Sequence, residues 1–349
     1  MAAKLPDNIY QSLHEGKVLP AHPLALNADG TLNEEYQRQL TRYYLAAGAG
    51  GVAVGVHTTQ FEIRQPEHNL FETVLKLAGE ELDKIGNNNA IRIAGICGPT
   101  AQALKEAEIA VKYGYHIGLL SLGALKNASE DELIDHVKQV AAVIPVFGFY
   151  LQPAVGGRLL SYQFWRRFAD IPGVYAIKIA AFNRYQTLDA VRGTIESDRR
   201  DEIALYTGND DNIVADLLTP FRFAKNGKEY TKYFTGGLLG HWAVWTHAAV
   251  KLLAQIKEAR TQKTNQDTLL QTGVAVTDMN AALFDVANHF HGCIPGIHEV
   301  LHRQGLLPSV RCLNPKEVLS PGQAEELERV MKAYPQLTDD AFVRNFIAG

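Results

Sequence analysis

The sequence predicts an α/β protein built on a closed (β/α)8 barrel, a TIM barrel, with a helical C-terminal appendage. Three observations carry this expectation. Eight short apolar runs recur between residues 18 and 240, starting roughly every 31 residues, and longer stretches with helical spacing and more charge separate them. Each run has apolar residues at consecutive positions, as parallel strands covered on both faces require. The repeat spans close to the ~250 residues of eight β/α units, and eightfold alternation favours closure over an open doubly wound sheet. No G-x-G-x-x-G follows the first run, so a dinucleotide-binding fold gains no support.

In order, the strand candidates are VLPAHPLAL, GGVAVGVH, RIAGICG, HIGLLSLG, VFGFYLQP, VYAIKIAA, IALYTGND and YFTGGLLG. The helices between them carry end signals. LNEEYQRQLTRYYLAAG has an acidic first turn, later basic residues and Gly48 as its stop. SEDELIDHVKQVAAVI opens with Ser129 three residues before Glu132, a capping box. After residue 262 the strand signal ends. TQKTNQDTLLQTG reads as a polar connection, and VTDMNAALFDVANHF and PGQAEELERVMKAY read as helices. The expected division is residues 1–261 for the barrel and 262–349 for a helical region packed on it.

Composition narrows the function. The chain has 349 residues, 46% hydrophobic and 21% charged, as in soluble globular proteins. A net charge of -4 gives no footprint for nucleic acid or an anionic membrane. The apolar run from Val140 is too short to span a bilayer and contains Pro145. The first residues lack the apolar core of a signal peptide. Cys97, Cys293 and Cys312 are odd in number and show no C-x-x-C spacing, which suits a reducing compartment. A cytoplasmic protein with a small-molecule substrate is the expectation.

The chemistry starts from VYAIKIAA. Strand alternation puts Val174, Ala176, Lys178 and Ala180 on one face and Tyr175, Ile177, Ile179 and Ala181 on the other. The second face is bulkier, as where a barrel strand meets its helices. A lysine among small neighbours, pointing into the barrel, reaches the carboxyl end where such barrels react their substrates. Desolvation lowers the pKa of an amine, and the neutral amine attacks carbonyl carbon. Two structural readings also fit: a lysine paired with a buried carboxylate, or one extending to water. In VFGFYLQP, Val146, Gly148, Tyr150 and Gln152 share a face. Tyr150 is therefore expected in the barrel interior beside Lys178, where a phenol moves protons; an ordinary core tyrosine is the alternative.

These residues resemble the dihydrodipicolinate synthase / N-acetylneuraminate lyase family of class I aldolases, from VLPAHPLALNADGTLNEEYQRQL to VRCLNPKEVLSPGQAEELERVM. AIK is similar to the family's G-I-K, giving Lys178, and YLQP to its Y-x-x-P, giving Tyr150. The resemblance implies a (β/α)8 barrel with C-terminal helices, a Schiff base with pyruvate or a related 2-oxo acid, no metal or organic cofactor, and a homo-oligomer, tetramer or dimer. GVHTTQFE stands where the family usually has G-T-T-G-E, which places His57, Thr58, Thr59 and Gln60 at the substrate carboxylate. His22, Gly208, Asn209 and Gly236, with Gly237 and His241 beyond, are further candidate contacts at strand ends. The tyrosine after the family's fourth strand is absent, Ser121 being the nearest hydroxyl. Val155 stands where synthases have arginine, with Arg158 out of register. These losses argue against dihydrodipicolinate synthase activity itself and imply a divergent aldolase or lyase of 2-oxo acids, possessing an aldehyde partner.

Two other functions compete. HEVLH at 298–302 matches H-E-x-x-H, the motif of zinc hydrolases, with His289, His291 and Glu317 as further candidate ligands. The expectation here is an ordinary amphipathic helix and no metal. The second competitor is a barrel that binds a 2-oxo acid without turning it over.

Overall fold

The structure, a computed structural model, describes residues 2–153 and 156–349. Eight parallel strands form the barrel: β1 (Val18–Pro20), β2 (Gly51–Val54), β3 (Ile91–Ile96), β4 (Ile117–Ser121), β5 (Val146–Leu151), β6 (Val174–Ala180), β7 (Ala204–Thr207) and β10 (Phe234–Leu239). Their order is β1-β10-β7-β6-β5-β4-β3-β2. A parallel bridge between Ala21 and Ala53, with the His22 N–H donating to the Ala53 carbonyl at 2.8 Å, joins β1 to β2 and closes the cylinder. All eight anticipated strands are present in these positions.

Helices α2 (Glu34–Ala46), α3 (Phe71–Ile85), α4 (Thr100–Lys112), α5 (Glu130–Ala141), α6 (Tyr162–Ala169), α7 (Arg184–Glu196), α8 (Ile213–Leu218) and α9 (Thr246–Gln262) follow the strands. The anticipated capping box is formed. The Ser129 hydroxyl accepts the Glu132 N–H, and the Glu132 carboxylate accepts the Ser129 N–H. Gly48, at φ 94°, follows the end of α2 in a backbone region that favours glycine.

A two-stranded antiparallel hairpin, β8 (Phe221–Lys225) and β9 (Lys228–Lys232), stands outside the barrel and has no counterpart among the eight runs. Asn226 and Gly227 turn it, both at positive φ (52° and 75°). Asn-Gly is the pair that a two-residue hairpin turn prefers.

Interior and exterior packing are distinct. Ile91, Ile117, Phe147, Ala176, Ala204 and Tyr206 lie in one buried cluster inside the barrel, and α1 (Asp7–Glu15) adds Ile9 and Leu13 to it from below. The outer cluster joins the other strand faces to the helices. The C-terminal region comprises α10 (Gln266–Leu283), α11 (Cys293–Arg303), α12 (Gln323–Ala333) and α13 (Asp340–Ala348), with α10 packed on α8 and α9 and α13 on α2. The polar connection expected at 261–273 is shorter than read, because α10 already starts at Gln266. Its polar residues face water on a helix.

Candidate active site

Lys178 sits on β6 with Ala176 and Ala180 on the same inward side. Ile177 and Ile179 point outward to the helices, as alternation requires. Val174 departs from the expected face. The register slips between Val146↔Val174 and Phe147↔Ala176, so Tyr175 is an extra residue in the strand and the alternation restarts after it. Lys178 is 8% exposed, and its Nζ lies 4.4 Å from the centre of the Phe149 ring. Among the described residues, none gives it a salt bridge. A Cβ at position 208 would lie 2.4 Å from Lys178 Cε, so only glycine lets the side chain pass.

The lysine opens into a cavity of about 660 Å³, part of it open to solvent, at the carboxyl ends of the strands. His57, Thr58, Gly208 and Asp210 line it with Lys178. Burial pushes the Lys178 amine down to about 8, against a partial opposing pull from Asp210. Burial likewise raises the Asp210 carboxyl, to about 7, while the His241 N–H (3.1 Å to Oδ1) and the lysine oppose the rise. An amine and a carboxyl group thus share one dry site, each shifted towards neutrality. The His57 imidazole is pushed down to about 4, first by burial and then by the lysine charge. The buried Thr58 hydroxyl has no partner among the described residues. An imidazole and a free hydroxyl facing an amine suit the carboxylate of a substrate.

Tyr150 needs correction. It is paired in register with Ile179, on the outer face of β5, and its ring lies 4.9 Å from that of Trp165 on α6. Its hydroxyl makes only long contacts, at 3.4 and 3.5 Å, with the backbone of Leu160. Phe149 holds the inward position opposite Lys178 instead. The alternation was correctly phased, but in VFGFYL both faces are apolar, so alternation alone does not say which set is interior. Gly148 makes room for Phe168 of α6 rather than for a substrate.

Four other expected contacts belong to the scaffold. His22 is fully buried; its Nε2 pairs with Thr41 Oγ1 at 2.9 Å and its Nδ1 lies 2.8 Å from the Pro23 carbonyl. Thr59 Oγ1 accepts the Gly55 and Val56 N–H groups and donates to the His22 carbonyl, fixing the loop after β2. Gln60 accepts the Leu313 N–H at 2.6 Å and so ties that loop to the C-terminal region. Asn209 bridges Phe182, Thr187 and Asp216 behind the cavity wall. Gly236 is at the opposite end: a Cβ there would meet Lys17 backbone at 2.4 Å. Gly237 packs against Trp242, and His241 is buried beside Trp245. Arg158 donates to the Leu125 and Ala128 carbonyls, and position 155 lies outside the described residues. Ser121 accepts a long contact from the Gly123 N–H.

HEVLH occupies α11, but its side chains diverge. Glu299 pairs with Arg303 at 2.7 Å, His302 contacts the Leu307 carbonyl, and His298 is buried against Cys312. Among the described residues no three His, Cys, Asp or Glu side chains gather as a metal site would need. The three cysteines are unpaired, and no described helix is long and apolar enough to cross a membrane.

Two features of the site escape the sequence reading. Asp210 stands in TGNDD directly after the two residues singled out there, and nothing local separates it from turn chemistry. The other is the roof. Phe284, Phe290, Cys293 and Ile297 reach the cavity from the C-terminal region, a contact between distant segments that no spacing encodes.

Comparisons with known proteins bear on the family and the fold. A profile of the dihydrodipicolinate synthetase family matches residues 15–220. The 4-hydroxy-tetrahydrodipicolinate synthase of Symbiobacterium thermophilum is 24% identical over 206 residues, 57% of this chain and 65% of that protein. The Dechloromonas aromatica enzyme of the same name is 25% identical over 56% of this chain and 64% of its own length. The match therefore spans less than two thirds of the length of these relatives. Among solved structures, YagE, a prophage protein from E. coli K12 determined with pyruvate, superposes with a TM-score of 0.72 at 17% identity, covering 91% of this chain and 98% of its own. N-acetylneuraminate lyase from Fusobacterium nucleatum gives 0.71 at 16% identity over 92% and 99%. These likenesses establish the fold. With the profile match over more than half of its length, the chain is a divergent member of the dihydrodipicolinate synthetase family.

Proposed function

We propose that the protein is a class I aldolase or lyase that makes or breaks a carbon–carbon bond of a 2-oxo acid through an imine on Lys178. The observation that carries this reading is a desolvated amine, without an ion pair among the described residues, at the carboxyl end of the sixth barrel strand, facing a cavity that also holds Asp210, His57 and Thr58. The neutral amine adds to the C2 carbonyl, and the carbinolamine loses its oxygen as water to give a protonated imine. In the cleavage direction a 4-hydroxyl gives up its proton. The C3–C4 bond breaks, an aldehyde leaves, and the electron pair passes into the imine to form an enamine. Protonation at C3 and hydrolysis return the amine and the shortened 2-oxo acid. Synthesis is the reverse. The chemistry calls for no metal or organic cofactor.

Asp210 takes the proton-carrying part that the outward Tyr150 cannot fill. Its carboxyl is raised towards neutrality beside the amine, so it exchanges a proton at working pH. His57 and Thr58 receive the substrate carboxylate. The altered loop and the absent tyrosine keep the proposal apart from dihydrodipicolinate synthase itself. Family membership supports a homo-oligomer, which light scattering on the purified chain tests.

Borohydride reduction in the presence of 2-oxo acids tests the reading. The expected product is a secondary amine at Lys178, found by peptide mass mapping, together with aldehyde release from an aldol substrate. Labelling without turnover would favour a binding barrel; no labelling of the folded protein by any 2-oxo acid would remove the aldolase reading.

A further inference from the structure

The walls of the cavity speak to what the substrate carries beyond its reacting carbonyl. Phe149 and Leu151 project from the inner face of β5, and Phe182 follows β6. Phe284, Phe290 and Ile297 come down from the C-terminal region. Phe182 and Phe290 meet edge to face at 6.1 Å, joining the barrel rim to the roof.

The polar groups are few and gathered at the reacting end. His57 and Thr58 stand at the place for the carboxylate, Lys178 at the ketone and Asp210 at the exchanging proton, with Gln152 at the rim. Among the described residues no arginine, and no lysine other than Lys178, lines the cavity. Nearby guanidinium groups have other partners, and none lines the cavity, Arg64 Nη1 being the one nitrogen of Arg64 left without a partner among the described residues. Arg64 binds Glu106 and the Gly55 and Gly95 carbonyls, Arg184 binds Asp216, and Arg158 binds two carbonyls.

This arrangement disfavours two substrate classes. A second carboxylate or a phosphate would lose its hydration, find no cation and face Asp210. A polyhydroxylated chain would lay its hydroxyls against phenyl rings with no partners. An aryl or branched alkyl group would instead fill the space between the four phenylalanines and be removed from water.

We infer that the substrate is a 2-oxo acid whose substituent beyond the reacting carbonyl is aromatic or branched aliphatic, an inference that rests on the imine reading above. The structural basis is the apolar wall from β5, β6 and the C-terminal helices, set opposite a polar end with no spare cation. The C-terminal region is thereby a specificity element.

The test is the rate of borohydride-trapped labelling of Lys178 in the full chain. The probes are phenylpyruvate, 4-methyl-2-oxopentanoate, 2-oxoglutarate and 2-keto-3-deoxygluconate, each rate divided by that compound's rate with a free amine. The first two are expected to label faster than the last two by about tenfold or more. Equal or reversed ranking overturns the inference while leaving the imine reading intact. No labelling by any probe overturns both, which is a distinct result. Phe290→Arg, at a half-buried position on the wall, is expected to move the preference towards 2-oxoglutarate by about tenfold. A folded variant with unchanged ranking contradicts the assignment of that wall.

Discussion

Lys178 and Tyr206 are register partners on adjacent strands, and both enter the barrel, yet they serve opposite ends. The Tyr206 hydroxyl runs down to α1, donates to the Leu13 carbonyl at 2.8 Å and accepts the Lys17 N–H at 3.2 Å. Lys178 runs up into the cavity with an aromatic ring beside it and no ion pair among the described residues. The amino end is closed by α1, whose backbone takes up the Tyr206 hydroxyl. The carboxyl end holds Lys178, Asp210 and the Thr58 hydroxyl, unpartnered among the described residues. The inward phenol is spent on backbone partners that hold the fold, whereas the inward amine at the carboxyl end faces a cavity.

The comparison breaks most sharply at the lysine. Lys178→Ala is expected to remove all borohydride-trapped label and all turnover while the protein stays folded, read by mass mapping and thermal unfolding. Retained label in that variant would place the reactive amine elsewhere.

Asp210→Asn keeps the shape but removes the exchangeable proton, and turnover is expected to fall by about 100-fold or more. Its pH behaviour sharpens the point. The Lys178 amine is depressed from its ordinary 10.5 to about 8, so the neutral, attacking form grows as pH rises towards 8. The Asp210 carboxyl is raised from 3.8 to about 7, so its proton-donating form is lost as pH rises through 7. The imine-forming rate should therefore pass through a maximum between these limbs, and the variant should lose the limb set by Asp210. The same shift makes the folded state bind the Asp210 proton more firmly than the unfolded chain. Its contribution to stability falls as pH rises from 3.8 through 7, and Asp210→Asn should flatten that fall in pH-dependent denaturation.

At the amino end the expected effects exchange places. Tyr206→Phe leaves the Lys17 N–H and Leu13 carbonyl without their buried partner, costing about 1–3 kcal/mol in denaturant unfolding with the labelling rate at Lys178 unchanged. The smallest effect belongs to Tyr150→Phe. Its hydroxyl contacts are long and face α6, so stability should drop by less than about 1 kcal/mol and labelling should not change. A large loss of labelling there would put the phenol back in the reaction.

How far the sequence reveals this molecule follows from which interactions are local. The eight strands were readable because burial on both faces leaves uninterrupted apolar runs, and the Ser129 cap because its partner is three residues away. The inward direction of Lys178 was readable because an amine stands out among Ala176, Ile177, Ile179 and Ala180. Tyr150 was not, because Phe149 beside it is equally apolar and only the curvature of the closed sheet decides between them. The family motif that nominated Tyr150 is present in the chain but is displaced from the interior by one residue. The hairpin turned at Asn226-Gly227 carries a local signal, but its strands alternate charged and apolar residues and stand outside the repeat. His22, Thr59, Gln60 and Asn209 were placed correctly at strand ends. Their partners, from Thr41 to Leu313, are remote in sequence, so their scaffold role could not be seen.

The most direct measurement is the site of reductive labelling by a 2-oxo acid, because the chain contains its own control. Lys232, half-buried, is also depressed by desolvation to about 8, but its Nζ donates to the Arg200 carbonyl at 2.5 Å and does not line the cavity. A low pKa alone would label both lysines. Position in the cavity predicts the mass increase on the peptide carrying Lys178 and none on that carrying Lys232. Label on Lys232 in preference to Lys178, or on neither in the folded protein, would contradict the account.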